Sequence, residues 1–396
     1  MKAGHAEIAG GGFAGLTLAI GLARAGWTVT VHERAPVIRE VGAGIFVHNN
    51  GLQVLEGYDL GNEIRLRGIS LKTDTMRDGH GKVIQVRELG RRPASRIWSF
   101  PRQALIEMLH QAALKHGADV RVNSEIASVH ADGRLTGANG DVYEGDLVVA
   151  ADGHFSVARK DLDIPVTTRP YRTTSIRFLL QGRDLTPEPG TTEYWSGKRR
   201  IAVAACGPAH TYVYLACPRT DEPASAVPLN ASAWASSFPP LRPLFERLTH
   251  EEPYKATYSY AKLPRWSRGR AVLVGDAAHA MAPTLGQGTN LAMSNTRSLV
   301  TFLEHADNVE SALSSWERAI RGVTDTTQEW AGRYDAITRS WPPSLAWVRR
   351  SIIWAFGASA GLSSHLRVAD ETAPITDVLQ IGKPASIGNG PVSAGA

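Results

Sequence analysis

Cysteine is almost missing from this chain, with only Cys206 and Cys217 among 396 residues. Two thiols cannot build a disulfide framework, and they fit a reduced, cytoplasmic protein. Histidine and cysteine nowhere cluster at zinc spacing, and "HEEPY" (250–254) lacks the second histidine of a zincin, so no metal is expected. No apolar run approaches the ~20 residues that cross a bilayer. The opening "MKAGHAEIAGGGFAG" enters a strand and turn without a signal-peptide core. There is no P-loop and no internal repeat. Charge of one sign is scarce as well: 43 Lys and Arg face 38 Asp and Glu, for a net +5. That small excess suits anionic small ligands as readily as a polymer. The densest basic stretch, 87–102, carries Arg91, Arg92 and Arg96 without aromatic interleaving, so no nucleic-acid partner is expected. It reads as a solvated face, with a dock for a phosphate-bearing ligand as the alternative.

The length suits two closely packed domains. Residues 6–34 read as strand, glycine turn, helix and strand. Residues 101–116 are amphipathic, with Leu105, Met108, Leu109 and Ala112 on one helical face. "DLVVAADG" (146–153) is a short buried strand that ends in Asp152-Gly153. From 171 to 218 the texture changes to short runs rich in β-branched and aromatic residues, "TSIRFLLQG", "TTEYWSG", "RRIAVAAC" and "TYVYLAC", which predict an antiparallel sheet. Helical spacing returns over 290–340. "WVRRSIIWAFG" (347–357) predicts core or a subunit contact, ahead of a membrane-surface helix, and the small polar residues after Lys383 a frayed tail. The expected domains are 1–165, 166–262, 263–340 and a C-terminal helical segment with tail, 341–396.

Gly10-x-Gly12-x-x-Gly15 follows the strand "HAEIA" and opens a helix, and Glu33 closes the next strand 18 residues after Gly15. The first glycine permits a tight turn, the second admits a pyrophosphate to the backbone, and the third lets helix and strand pack. The helix start offers free N–H groups and a positive dipole end to phosphates. Glu33 is placed to accept from a ribose. This strand–helix–strand–acid context predicts a bound dinucleotide. At the far end of the chain "VLVGDAAHAMAPTLGQG" delivers Asp276 from a buried strand, where a ribityl hydroxyl is a natural donor to it. Gly286-Gln287-Gly288 then opens a second helix whose N–H groups suit the electron-rich edge of a flavin ring. The two turns are expected to hold the two ends of one FAD.

Three ordered motifs, "GGGFAG" with Glu33-Arg34, "ADGHFSVAR" and "GDAAHAMAPTLGQGTN", resemble those of the FAD-dependent aromatic hydroxylases, the para-hydroxybenzoate hydroxylase-like monooxygenases. The resemblance implies an α/β fold, α+β in part: a Rossmann-like FAD-binding domain with an inserted, mainly antiparallel β-sheet substrate domain and C-terminal helices. It implies cofactor contacts at Gly10, Gly12, Phe13, Ala14, Gly15, Glu33, Arg34, Arg39, Gly44, Arg102, Asp152, Gly153, Asp276, Gly286, Gln287 and Gly288. "REVGAGI" (39–45) is similar to the family's loop beside the isoalloxazine ring, and Arg102 matches its phosphate- and ribityl-contacting arginine. "GAGIFVHNNGLQVLEG" and "SRGRAVLVGDAAHAM" look most like the members that hydroxylate pyridine-ring acids. In those, an arginine and a tyrosine twelve positions later hold the substrate, which falls here on Arg200 and Tyr212. Arginine's fork suits a carboxylate. Pro283 matches the proline whose backbone lines the substrate cavity. Thr73 departs from an aromatic residue of those enzymes.

The implied reaction has NADH or NADPH, bound transiently without a glycine fingerprint of its own, reduce FAD. O₂ then gives a flavin C4a-hydroperoxide, which hydroxylates a hydroxylated aromatic or pyridine-type carboxylic acid, with or without ring opening. His48 and Tyr212 are the candidates for a protein base. Each has a structural alternative, a turn cap with Asn49 and Asn50 for His48 and a core aromatic for Tyr212. For Arg200 the alternative is a solvated strand position, and His279 is expected to pack. The implied partners are a small-molecule acid and O₂, with the protein a monomer or a homodimer. Rival readings are a hydroxylase of quinone or polyketide rings and a non-catalytic carrier on the same fold. A flavin halogenase lacks its Trp-x-Trp-x-Ile signature here, and Gly357–Gly361 with His365 and Asp370 has the wrong order for a hydrolase triad.

Overall fold

The structure, a computed structural model, describes residues 2–40, 42–339 and 367–377. The expected segment at 347–357, Gly357–Gly361, His365 and the tail after Lys383 lie outside the described residues. Strand His5–Ala9 pairs in parallel with Thr28–His32 on one side and Leu147–Ala150 on the other. Ala271–Leu273 and Asp119–Arg121 extend this sheet in parallel, and Ser267–Arg268 closes one edge antiparallel. Its central residues, Ala6, Ile8, Val29, Val31, Val148, Val149 and Val272, are all buried. Parallel strands covered on both faces demand such continuous apolar runs. The register sets Ala9 beside both His32 and Ala150, and Ala150 beside Leu273. These four strands therefore end level, and Gly10, Glu33, Ala151 and Val274 leave from one edge. Helices Phe13–Arg24 and Gly288–His305 pack together across this unit, and the long helix Val309–Arg339 follows.

The second sheet has seven strands, in the order Tyr254–Lys262, Thr167–Gln181, His210–Pro218, Arg199–Cys206, Gly190–Ser196, Thr73–Asp78 and Val83–Glu88. The four runs expected between 171 and 218 are adjacent in it, antiparallel as predicted. The last two strands come from the first part of the chain, outside the 166–262 segment expected from sequence. Their "TDTMRD" and "VIQVRE" are half-buried to exposed and carry little apolar signal. Gly190–Ser196 takes them in parallel through Thr73–Asp78.

Alternation gives this sheet two different faces. Ile176, Phe178, Leu180, Ile201, Val203, Val213 and Leu215 point one way, into a core with Trp234, Phe238 and Phe245. Each such buried side chain contributes roughly 1.5–3 kcal/mol. Arg177, Leu179, Arg200, Tyr212 and Tyr214 alternate with them and occupy the opposite face.

Candidate active site

The three glycines of the opening turn have different surroundings. Gly10 has φ +113°, and a Cβ there would stand 2.3 Å from the Ala151 carbonyl oxygen. A Cβ on Gly15 would lie 2.0 Å from the Gly10 carbonyl oxygen. A Cβ on Gly12 would meet nothing within 4 Å. The turn is closed by packing at its first and third glycines and open at the second, at the start of helix Phe13–Arg24. Glu33 returns to it: Oε2 accepts from the Gly11 N–H at 2.9 Å, and Oε1 accepts from the Ala35 N–H at 2.9 Å. Arg34 lines an adjoining cleft of about 300 Å³ with Asn123, Ser124, Glu125 and Asn139.

Gly275 brings the distant motif to this turn. Its φ is +60°, and a Cβ there would lie 2.9 Å from the methyl of Ala14. The two glycine-bearing turns, 260 residues apart in the chain, are thus in contact. Arg159 ties the third motif in, donating through Nε to the Ala277 carbonyl at 2.9 Å and through Nη2 to the Asp276 carbonyl at 2.8 Å. Asp152 caps its own loop by accepting from the Val157 N–H at 2.9 Å, and Gly153 turns beside it with positive φ. Burial raises both the Asp152 and the Asp276 carboxyl above the usual range, while His154, Arg102 and Arg159 pull Asp276 back. The Asp276 residue itself is open to solvent. The surrounding protein, more than enclosure of the carboxylate itself, disfavours its charge. Arg102 stacks over Phe13 at 5.1 Å, and its Nη2 donates to Glu40 Oε2 at 2.6 Å. Arg39 lies exposed in the same loop. The basic stretch 87–102 is largely ion-paired: Arg87 with Asp74, Arg91 with Glu88, Arg96 with Glu56 and Arg102 with Glu40.

Gly44 joins this turn region to the second sheet. A Cβ on Gly44 would stand 2.5 Å from Cγ of Tyr212, whose ring meets Phe46 edge-on at 5.9 Å. Ala43, Cys206 and Tyr212 form a small buried cluster flanked by Phe46, Leu179 and Tyr214. Burial pushes the Tyr212 phenol up to about 12, against the pull of Arg177. At neutral pH Tyr212 therefore offers a proton and does not take one. Arg200 is buried, not solvated. Burial opposes its charge, but Glu193, with Oε1 at 3.3 Å from Nη1, acts together with Tyr214, Tyr334 and Asp335 to leave the guanidinium raised overall. It lies over Trp195 at 5.7 Å and Tyr334 at 5.9 Å. Sequence reasoning passed over Arg177, on the same face. The alternation of "TSIRFLLQG" was signal enough, because it sets Arg177 opposite the core-facing Ile176 and Phe178.

The loop Pro283–Gly288 has a backing that sequence did not foresee. The Pro283 carbonyl accepts from the Gly286 N–H at 3.0 Å, and helix Gly288–His305 begins there. Gln287 is buried; it accepts from Asn50 Nδ2 at 3.1 Å and donates to Asp370 Oδ1 at 2.6 Å. Asp370 also holds His48 Nδ1 at 2.8 Å, and a Cβ on Gly286 would stand 3.0 Å from His48 Nε2. His48 precedes helix Asn49–Gly57, yet its side chain makes no capping bond. The turn-cap alternative fails because the imidazole points instead to Asp370 and the Gly286 loop. His279 packs as expected, its ring tilted against Trp266 at 5.3 Å and bonded to Asn295, and burial lowers its pKa to about 4.

A family model described as the FAD binding domain matches residues 5–323. The chain belongs to that family. This flavoprotein is an FAD-dependent monooxygenase of the aromatic hydroxylase type. It is 36% identical over 331 residues to a putative 2-heptyl-3-hydroxy-4(1H)-quinolone synthase of Rhodococcus erythropolis, covering 82% of this chain and 86% of the relative. It is 34% identical to a 2-heptyl-3-hydroxy-4(1H)-quinolone synthase of Mycobacteroides abscessus, over 83% of this chain and 89% of that one. Its fold matches the tetrameric form of 2-methyl-3-hydroxypyridine-5-carboxylic acid oxygenase with a TM-score of 0.79 at 34% identity, covering 87% of this chain and 96% of the other. The α/β architecture with an FAD-binding unit, a separate antiparallel sheet and later helices follows the expectation from sequence. No helix among the described residues is long and apolar enough to cross a membrane, and no group of three or more metal-ligating side chains occurs among them.

Proposed function

We propose that this monooxygenase uses NAD(P)H and O₂ to hydroxylate an N-heteroaromatic or hydroxylated aromatic acid bound between the Gly44 loop and the polar face of the seven-stranded sheet. The observation that carries the reading is the contact of Tyr212 with Gly44, which joins an arginine- and tyrosine-bearing face to the flavin-type turns. The residues present fit FAD: Gly12 is open at a helix start, Glu33 stands at the turn, and exposed Asp276 follows Gly275, which packs on Ala14 of that turn. Gly10, Phe13, Ala14 and Gly15 would shape the pyrophosphate cradle, and Arg34 would face the adenosine end. Arg39, Arg102, Asp152 and Gly153 would flank the phosphates. Gly44, Gly286, Gln287 and Gly288 would border the ring. When bound, FAD supplies the reductive activation of O₂.

The chain's own residues supply position and dryness. Ala43, Phe46, Leu179 and Cys206 exclude water beside Tyr212. Tyr212, protonated at neutral pH, donates a hydrogen bond to a ring oxygen. Pro283 borders the cavity, and Arg200, neutralised by Glu193, shapes it. His48 holds the Gly286 loop in place and can relay a proton through Nε2. The nicotinamide substrate binds transiently in a groove. The quinolone synthases and the pyridine-carboxylic acid oxygenase it resembles are all named for nitrogen-containing rings, which supports that class. The apolar cluster favours a second reading, an alkylated or quinone-like ring. A substrate panel tests both: NAD(P)H oxidation and O₂ uptake are followed with hydroxypyridine carboxylates, hydroxybenzoates and alkylquinolones. Stimulation by one class with product formed supports the reading. A yellow protein that none of them stimulates favours the carrier alternative.

A further inference from the structure

The seven-stranded sheet carries two buried guanidiniums on its polar face, and only one of them is neutralised. Arg200 has Glu193 beside it. Arg177 is 8% exposed, and among the described residues no carboxylate pairs with it. Its guanidinium lies over the Tyr214 ring at 5.7 Å and the Tyr258 ring at 5.3 Å. It donates to the Tyr258 hydroxyl, which Ser175 Oγ meets at 3.0 Å. Among the described residues its Nε has no partner, and neither does the hydroxyl of Tyr214, the residue directly opposite it in strand register. Two unpaired polar groups thus sit side by side in a buried place, one on a full positive charge. A buried charge without a counter-charge is costly. An unpaired buried donor costs about 1–3 kcal/mol. Both costs vanish when a ligand brings an anionic oxygen. Leu179, two residues on from Arg177 in the strand, pairs in register with Tyr212, so the position adjoins the Gly44 contact.

We infer that Arg177, assisted by Tyr214, is the specificity-determining residue that selects an anionic oxygen, carboxylate or ring oxyanion, on the substrate. This moves the anion site expected at Arg200 to the neighbouring strand. The inference rests on the monooxygenase reading for its meaning, but its test does not. The holoenzyme is titrated by equilibrium dialysis with 5-hydroxynicotinate and with its neutral isostere 5-hydroxynicotinamide. The acid is expected to bind about tenfold or more tighter, equal to about 1.4 kcal/mol. In Arg177→Met the ratio falls to near one, and in Arg177→Lys most of it survives. Equal binding of acid and amide by the wild type, or no binding of either, overturns the inference. So does an unchanged ratio in Arg177→Met. Should Arg177→Met fail to fold, Arg177→Gln, which keeps donors without the charge, decides by the same ratio: a fall to near one supports the inference, and a ratio equal to wild type overturns it. If the acid binds through Arg177 yet stimulates no NAD(P)H oxidation, the monooxygenase reading fails while the anion site stands.

Discussion

Replacing Gly12 by alanine separates folding from cofactor binding more cleanly than any other change in the opening turn. A methyl at Gly12 meets no protein atom within 4 Å, and its φ of −81° suits any residue. Loss of chain entropy in the unfolded state favours alanine by about 0.4–1 kcal/mol. Its weaker performance at a helix N-cap takes back a similar amount. The apoprotein's stability is therefore expected to change by no more than about 0.5 kcal/mol. The pyrophosphate is different, because the methyl occupies the approach that only glycine leaves open. FAD affinity is expected to drop about 10–100-fold, or about 1.4–2.8 kcal/mol. Gly15→Ala is the control with the opposite sign pattern: its methyl would sit 2.0 Å from a backbone oxygen, so it costs folding about 2 kcal/mol or more. Urea unfolding of the apoproteins and quenching of FAD fluorescence on titration read the two effects apart. A Gly12→Ala protein that binds FAD like wild type, or that unfolds as readily as Gly15→Ala, refutes this assignment of the turn.

Asp276→Ala is expected to purify largely colourless; full flavin occupancy, read from the ratio of visible to protein absorbance, would contradict its place at the ribityl chain. His279 gives a folding test in pH. Its folded pKa of about 4 lies below the unfolded value of ~6.5, so stability is complete above ~6.5 and falls as the unfolded chain takes up a proton. Between pH 7 and 5 this amounts to about 2 kcal/mol, seen as a difference between wild type and His279→Gln in urea unfolding, and equal slopes would exclude it. Tyr212, pushed up to about 12, is expected to leave no ionisation in the pH–rate profile below about pH 10. An alkaline limb below that point which Tyr212→Phe abolishes would make it a base after all. Asp370→Ala is expected to loosen the Gly286 loop and weaken FAD binding severalfold, measurable as a faster flavin off-rate; an unchanged rate would leave its bonds to His48 and Gln287 without consequence.

The first unit was legible because local signals agreed. Buried β-branched strands, a glycine turn and an acidic strand end all fall within residues 5–33, and the structure returns each of them. The contact of Gly275 with Ala14 was legible only by inference, since nothing local links positions so far apart. The polar face of the second sheet was half read. Arg200 was noticed for its spacing to Tyr212, while Glu193, which neutralises it, lies one strand away and needs the register to be seen. The hairpin at 73–88 escaped because its strands are polar and stay half in solvent. Asp370 was weighed only as a hydrolase-triad member, because nothing local in "RVADETA" links it to His48 and Gln287 until the fold brings them together.

The most direct test of the account follows the oxygen atom. The holoenzyme, NADH and ¹⁸O₂ are mixed with whichever ring acid or quinolone stimulates oxidation, and the product is weighed by mass spectrometry. The account predicts one ¹⁸O atom added to the ring for each NADH consumed. A product without label, or NADH consumed only to form hydrogen peroxide with every ring tested, would contradict it.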